Sequence, residues 1–163
     1  MGLFDFISNA GEKLFGGDKL DEDKAREHIV GLGLKLRPFA VFADDKQKML
    51  SLVGWAETLE DKEKAILAAG NIKGVEKVDD RIKVGTPPGR PLATKAEDAP
   101  EPGREEQPSS RFYTVQSGDT LSKIAREYYG SASKYPLIFE ANKPMLTNPD
   151  LIYPGQVLRV PDA

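Results

Sequence analysis

The sequence predicts an α+β protein in which two small domains flank a proline-rich linker. Six of the 12 prolines fall between residues 86 and 110, a stretch with almost no large apolar side chain. Such a segment buries too little surface to offset the entropy of ordering it, so we expect a flexible spacer between semi-independent domains. The flanking segments mix alternating and helix-spaced apolar residues, and 163 residues suffice for two small domains.

The C-terminal module begins with a strand, a tight turn and a helix. Tyr113 and Val115 alternate with polar residues, as in a half-buried strand, and apolar residues recur at helical spacing from Leu121 onwards. Asp119 or Thr120 can cap this helix, because a short side-chain oxygen accepts hydrogen bonds from its free N–H groups. A second helical stretch and an apolar strand follow, which gives the order β-α-α-β.

The motifs of this module resemble those of a LysM domain. The run Tyr-Thr-Val-Gln-Ser-Gly-Asp-Thr-Leu-Ser-Lys-Ile-Ala at 113–125 and the run Ile-Tyr-Pro-Gly-Gln at 152–156 carry the resemblance. It implies a carbohydrate-binding module over residues 111–163 that recognises polymers containing N-acetylglucosamine, such as peptidoglycan. The sugar-binding loops that it implies consist of Gly118, Asp119, Thr120 and Leu121, and of Asn148, Pro149, Asp150, Leu151 and Ile152. The first of these loops also has the residues that a turn and a helix cap require.

The N-terminal module, residues 19–85, has the pattern α-β-β-α-β. Its first helix follows Asp21 and carries acids in its first turn, where the helix dipole favours them. Two strands flank the turn at residues 44–45, and Pro38 limits the first strand to a sheet edge. Thr58 caps the second helix, a glycine-containing turn ends it, and a last strand follows. This order resembles a BON domain.

The whole chain resembles the Kbp family of cytoplasmic potassium-binding proteins, in which a BON domain precedes a LysM domain. Residues 1–18, which begin Met-Gly-Leu-Phe-Asp-Phe, resemble the N-terminal segment of that family and are expected to pack on the BON domain. The linker and residues 38–47 depart from the family pattern. The resemblance implies a monomeric potassium sensor or buffer with the potassium ion as its cofactor. The ion would be held by the main-chain carbonyls of Ile7, Ala10, Glu12, Gly70, Ile72 and Val75.

The residues themselves permit such a site and also a simpler interpretation. Gly70 and Gly74 follow a helix C-terminus, where unpaired carbonyls and the negative end of the helix dipole attract cations. We expect both glycines to let the backbone pass through positive φ. The alternative is that these glycines only cap the helix and that residues 1–18 form an amphipathic lid. An ion shared by the two segments would order residues 1–18 and favour docking of the LysM module, so we expect compaction on binding.

Composition argues against catalysis and against nucleic-acid binding. The net charge of −3 lacks the basic footprint of a nucleic-acid partner. The chain has no cysteine and a single histidine, His28, so disulfides, thiolate nucleophiles and multi-histidine zinc sites within one chain are excluded. Adjacent acids such as those at 79–80 point to opposite faces of a strand, so no facing carboxylate pair is nominated. We expect a binding protein without enzyme activity.

The N-terminus predicts a cytoplasmic location. Asp5 interrupts the apolar run that a secretory signal needs, and no stretch reaches the roughly 18 apolar residues of a membrane span. Membrane association through Leu3, Phe4, Phe6 and Ile7 is a weaker alternative, and we expect no stable insertion. In the cytoplasm the LysM module would not meet the cell wall. Potassium binding is therefore the main hypothesis, wall-glycan binding is the alternative, and a protein or glycan partner of the LysM module stays open.

Overall fold

The computed structural model describes residues 2–6, 13, 19–87 and 110–162. Within these residues the predicted mixture of helices and strands is confirmed. The N-terminal elements are β1 (Gly2–Asp5), α1 (Glu22–Gly31), β2 (Leu36–Asp44), β3 (Met49–Ala56), α2 (Leu59–Gly70) and β4 (Lys77–Val84). The C-terminal elements are β5 (Arg111–Thr114), α3 (Leu121–Tyr129), a 3-10 turn (Ala132–Lys134), α4 (Tyr135–Ala141) and β6 (Val157–Val160).

The N-terminal domain is a four-stranded sheet covered on one face by α1 and α2. Its strand order is β1-β4-β3-β2, with β2 antiparallel to β3 and β4 parallel to β3. The predicted order α-β-β-α-β is confirmed, and β2, which contains Pro38, lies at the sheet edge as expected. Ile29 and Ile66 from the helices pack with Leu50 and Leu52 from β3 in a buried core. Burying side chains of this kind is the main favourable term for the domain.

The helix α2 is fixed at its start by the predicted cap. The side chain of Thr58 accepts a hydrogen bond from the Asp61 N–H at 3.1 Å, and its hydroxyl donates to the Asp61 carboxylate at 2.7 Å. The first of these bonds satisfies an N–H group of the first helical turn that would otherwise lack a partner. The cap sets where α2 begins, and the buried face of α2 then carries the chain to Gly70.

The strand β1 was not predicted. Gly2–Asp5 pairs antiparallel with β4, and the exposed Leu3 and Asp5 alternate with the partly buried Phe4 and Phe6. Both phenylalanines pack against the core of the N-terminal domain. The described part of the first 18 residues therefore packs on this domain as a fourth strand, and residues 7–12 and 14–18 lie outside the described residues.

The C-terminal domain is a two-stranded antiparallel sheet, β5 with β6, packed against α3 and α4. The predicted order β-α-α-β is confirmed, and Leu121, Ile124, Ile138 and Leu158 form its buried core. Of the two candidate caps, Thr120 caps α3 by accepting from the Lys123 N–H at 3.2 Å.

The two domains are in contact in this structure. The side chain of Asn71 in the N-terminal domain bonds to the main chain of Val157 in β6. Arg159 of β6 forms an ion pair with Glu63 of α2, and the rings of Phe4 and Phe112 lie 5.5 Å apart. The composition of the linker does not predict these contacts, because the residues that form them belong to the folded domains. Residues 88–109 lie outside the described part of the chain.

Candidate functional site

The candidate ion site lies in residues 70–76, the α2–β4 turn, where α2 ends and the chain returns to the sheet. The Asn71 N–H donates to the Leu67 carbonyl at 2.9 Å and thereby closes the last helical turn. The Ile72 N–H then donates to the Ala69 carbonyl at 3.3 Å, and the Val75 N–H to the Ile72 carbonyl at 3.2 Å. These bonds fold the chain into a tight turn directly after α2.

The two glycines of the turn have different roles. Gly74 has a φ of +100°, a conformation that favours glycine, as the sequence analysis expected. Gly70 is the last residue of α2 and not one of the positive-φ glycines, so the expectation for it was wrong. A Cβ atom at Gly70 would lie 2.1 Å from atoms of the Phe6 ring. Gly70 is needed because the N-terminal strand approaches it closely.

The carbonyl groups of the turn lie in a buried environment. Ile72 and Val75 are fully buried, and Gly70 is also buried. Within the described part of the chain, the carbonyls that accept the hydrogen bonds of this turn are those of Leu67, Ala69 and Ile72, and those of Gly70 and Val75 are not among them. A buried carbonyl needs a partner, since desolvating it without one costs roughly 1–3 kcal/mol. The carbonyls of Gly70 and Val75 are candidate ligand groups for a cation.

Neighbouring segments hold the turn from three sides. The Phe6 N–H donates to the Glu76 carbonyl at 2.7 Å, which extends the β1 pairing up to the turn. The Glu76 N–H donates to the Lys48 carbonyl at 2.8 Å. The amide of Asn71 contacts the C-terminal domain. The geometry of the turn therefore depends on β1, on the β2–β3 hairpin and on the second domain.

The predicted ligand set is placed only in part. Gly70, Ile72 and Val75 lie at the end of α2 and in the turn that follows it, and their role as ligands stays a prediction. Ile7, Ala10 and Glu12 lie outside the described residues. Phe6, the described residue that precedes them, has its ring against Gly70.

A side-chain metal site is not found in the described ranges. Among residues 2–6, 13, 19–87 and 110–162, no three or more His, Asp or Glu side chains converge in a way that could hold a metal ion. Two buried acids of this domain already have cationic partners. Asp80 pairs with Lys62 at 2.9 Å, and Glu63 pairs with Arg159.

The first candidate sugar loop is held by a hydrogen-bonded acid. Asp119 accepts from the Tyr113 hydroxyl at 2.7 Å and from the Gln116 N–H at 2.9 Å. The bond from Tyr113, followed by that from Gln116, lowers the pKa of Asp119, and the same bond raises the pKa of Tyr113 to about 12. Gly118 and Thr120 are exposed, whereas Leu121 is buried in the core. The loop is rigid where Asp119 anchors it and open to solvent at Gly118.

The second candidate sugar loop is a compact turn built around Asn148. The side-chain oxygen of Asn148 accepts a hydrogen bond from the Asp150 N–H at 2.9 Å. The main-chain carbonyl of Asn148 accepts one from the Leu151 N–H at 3.1 Å. Leu151 is 63% exposed, and Ile152 packs against the domain core. Pro149 completes the turn. Both loops rest on one core, and each presents exposed groups to solvent.

Sequence reasoning missed the residues that join the domains. In the sequence, each of these residues is interpreted as an ordinary surface residue. Asn71 follows a helix, and Glu63 and Arg159 are charged. Their partners lie on the other side of the linker. Phe6 was assigned to packing, but its contact with Gly70 was not expected. No local pattern signals such contacts, since they depend on how two domains fit together.

Two domain families match the chain. The LysM domain family matches residues 113–161, and the BON domain family matches residues 39–86. The protein is therefore of the class that joins a BON domain to a LysM domain.

The match to a relative extends over the full chain. The chain is 44% identical over 173 aligned residues to the potassium binding protein Kbp of Escherichia coli O6:H1 (strain CFT073), with 99% of each chain covered. The chain belongs to the Kbp family.

Other relatives share only part of the chain. An uncharacterized protein of Deinococcus radiodurans is 48% identical over 58 residues, which are 36% of this chain and 22% of that protein. An esterase of Mycobacterium tuberculosis (strain H37Rv) is 49% identical over 51 residues, 31% of this chain and 11% of the esterase. These matches cover a module and not the whole architecture. Of the helices that the structure describes, none is long and apolar enough to cross a membrane.

Proposed function

We propose that this chain is a potassium-binding protein that holds the ion through main-chain carbonyls. The observation that carries the proposal is the buried α2–β4 turn, in which the carbonyls of Gly70 and Val75 are not acceptors of the turn's own hydrogen bonds within the described residues. The chain belongs to the Kbp family, and its relative in Escherichia coli is named a potassium binding protein. This membership supports the proposal. The full ligand set of the proposal is Ile7, Ala10, Glu12, Gly70, Ile72 and Val75.

The electrostatics of the turn favour a monovalent cation. It lies at the C-terminal end of α2, where the helix dipole is equivalent to roughly half a negative charge. Potassium is selected in proteins by groups of carbonyl oxygens that replace its water shell. Calcium and magnesium instead require several carboxylates or retained waters. A neutral carbonyl cage without converging acids therefore suits potassium better than a divalent ion.

Ion binding would make the protein more compact, and this change would be its signal. Phe6 links β1 to the turn, and Asn71 links the turn to the LysM domain. An ion that favours the closed turn shifts the population towards the closed form by its differential affinity. We propose that the protein acts as a monomeric cytoplasmic sensor or buffer without catalysis, and that closure is its signal.

Isothermal titration of the full chain tests the proposal. We expect saturable heat with potassium and rubidium chlorides, weaker binding of sodium, and none of magnesium at matched ionic strength. Heat without selectivity between potassium and sodium, or no heat with any of the salts, would contradict potassium binding.

Wall-glycan binding through the LysM loops is a second candidate function. The observation that favours it is that Gly118, Thr120 and Leu151 stay exposed while β6 contacts the BON domain. Exposed polar groups beside an apolar residue suit an acetamido sugar. Sedimentation of the protein with insoluble peptidoglycan, with and without potassium, tests it. Sedimentation in both conditions would favour this function, and none in either would exclude it.

A further inference from the structure

Two asparagine side chains form hydrogen bonds with main-chain groups along the outer edge of β6. β6 pairs with β5 on one side only. On the other side, the Val157 N–H donates to the side-chain oxygen of Asn71 at 2.9 Å, and the Asn71 amide donates to the Val157 carbonyl at 2.8 Å. Two residues further on, Arg159 makes the same pair of bonds with Asn142, each at 2.7 Å. Alternate residues of a strand direct their main-chain groups to the same side, so these four bonds form one continuous edge.

The two asparagines come from different domains. Asn142 follows α4 in the LysM domain and also donates to the Ile138 carbonyl at 2.6 Å, so its pairing with Arg159 is internal to that domain. Asn71 is the C-terminal cap of α2 in the BON domain. The Val157 bonds therefore exist only while the two domains are in contact, whereas the Arg159 bonds do not require that contact.

Asn71 stands between two of the proposed ligands, Gly70 and Ile72. The Gly70 carbonyl belongs to the same planar peptide group as the Asn71 N–H, and that N–H donates to the Leu67 carbonyl. Bonds at the N–H and at the side chain together fix the orientation of Asn71. They thereby fix the direction of the Gly70 carbonyl, which precedes Asn71. They also fix the position of the main chain where Ile72 begins.

We infer that Asn71 is a positioning residue that couples docking of the LysM domain to the potassium affinity of the α2–β4 turn. The inference rests on the proposed function. Docking and the ion both favour one geometry of the turn, so each strengthens the other by the same factor. The Asn71 side chain does not ligate the ion. It transmits the position of β6 to the carbonyl groups beside it.

The other interdomain contacts do not orient a carbonyl of the turn. Arg159 pairs with Glu63 and lies 3.8 Å from Glu60, both within α2 and ahead of the turn. Phe4 meets Phe112 beside β1. These contacts favour docking in general. Among the hydrogen bonds and ion pairs that join the domains in the described part of the chain, the Asn71 pair is the one that reaches the turn itself.

Amide hydrogen exchange of the unmodified full chain tests the coupling with an internal control. Titrating potassium chloride against sodium chloride at constant ionic strength should slow exchange of the Val157 N–H by about 5-fold or more, the lower end of typical allosteric couplings. Exchange of the Arg159 N–H should stay unchanged, because its partner Asn142 is in its own domain. Equal slowing of both amides, or no slowing of Val157, would contradict the coupling.

Two variants of the turn separate positioning from a merely structural contact. Asn71→Ala removes both bonds to Val157 and should lower potassium affinity by about 5-fold or more, with loss of the potassium-dependent protection of Val157. Lys73→Ala, an exposed residue of the same turn, should preserve both properties. Potassium binding by Asn71→Ala as tight as that of the original chain would overturn the inference alone. Failure of the original chain to bind potassium would overturn the proposed function as well.

Discussion

Gly70 and Phe6 meet where β1 leaves the sheet and α2 ends. The sequence shows a glycine after a helix, which predicts a cap, and the structure shows that the glycine makes room for an aromatic ring. Sequence reasoning could place the turn, because a helix followed by two closely spaced glycines is a local signal. It could not place the ring, because Phe6 reaches the turn through pairing between distant strands. The packing at Gly70 therefore depends on a contact that no local pattern encodes.

Substitution of Gly70 by alanine tests this contact at the residue scale. The new Cβ atom would overlap the Phe6 ring, and such overpacking typically costs about 1–3 kcal/mol. We expect lower stability in urea and weaker potassium binding. The matched control is Gly31→Ala at the end of α1, where no atom lies within 4 Å of the added Cβ and little loss is expected. In the double variant Phe6→Ala and Gly70→Ala, the loss of stability should be smaller than the sum of the two single losses, because the overlap is gone. Strictly additive effects would contradict the steric explanation.

At the scale of elements, the predicted helices and strands were found because their signals are local. Alternation, helical spacing, and the Thr58 cap each act within a few residues, and the structure confirms the elements that they predicted. The strand β1 was missed because it is four residues long and pairs only with β4, far along the chain. Asp119 was one of two candidate caps, and its bond to Tyr113 instead anchors the turn after β5.

The bond between Tyr113 and Asp119 predicts a pH dependence for the LysM domain. The folded state lowers the pKa of Asp119 below 3.8 and raises that of Tyr113 from 10.0 to about 12, in both cases mainly through this bond. The bond therefore stabilises the folded state between pH 3.8 and pH 10. This stabilisation is lost as the pH falls below 3.8, and it is lost as the pH rises from 10 through 12. Tyr113→Phe removes it.

Urea unfolding across pH measures this effect. The difference in free energy of unfolding between the original chain and Tyr113→Phe should be constant near neutral pH and should shrink towards both extremes. Tyr129→Phe is the control for the acid side, because the Tyr129 hydroxyl donates to the Pro161 carbonyl and not to an acid. It is not a control at high pH, because burial also raises the pKa of Tyr129. A difference that stays constant down to pH 2 would show that the Asp119 bond does not stabilise the fold.

At the scale of the whole molecule, docking of the two domains was the least predictable feature. The linker composition predicts a flexible spacer, but it carries no information on whether the domain surfaces are complementary. The contacts that define that fit include the Asn71 pair with Val157, the Arg159 ion pair and the Phe4–Phe112 contact. Each joins residues on opposite sides of the linker. The resemblance to the Kbp family indicated which segments to consider, and only the folded chain shows how the LysM domain reaches the turn.

Removal of the Arg159 ion pair tests docking independently of the turn. Arg159→Ala leaves Glu63 buried without a partner in the docked form, and an uncompensated buried charge is strongly unfavourable. We expect small-angle scattering to show a larger radius of gyration at low potassium, and saturating potassium to reverse the change in part. Arg126→Ala, which removes an exposed charge on α3, should scatter like the original chain. Identical scattering from both variants would mean that the ion pair does not hold the domains together.

The central claim is that main-chain carbonyls of the α2–β4 turn and of the N-terminal segment hold potassium, and carbonyl carbon NMR observes those groups directly. During a potassium chloride titration, the account predicts saturable shifts of the carbonyl carbons of the proposed set, which is Ile7, Ala10, Glu12, Gly70, Ile72 and Val75. The same titration with sodium chloride should leave them nearly unchanged. Saturable potassium-specific shifts confined to other residues, or no saturable shift anywhere, would contradict the account.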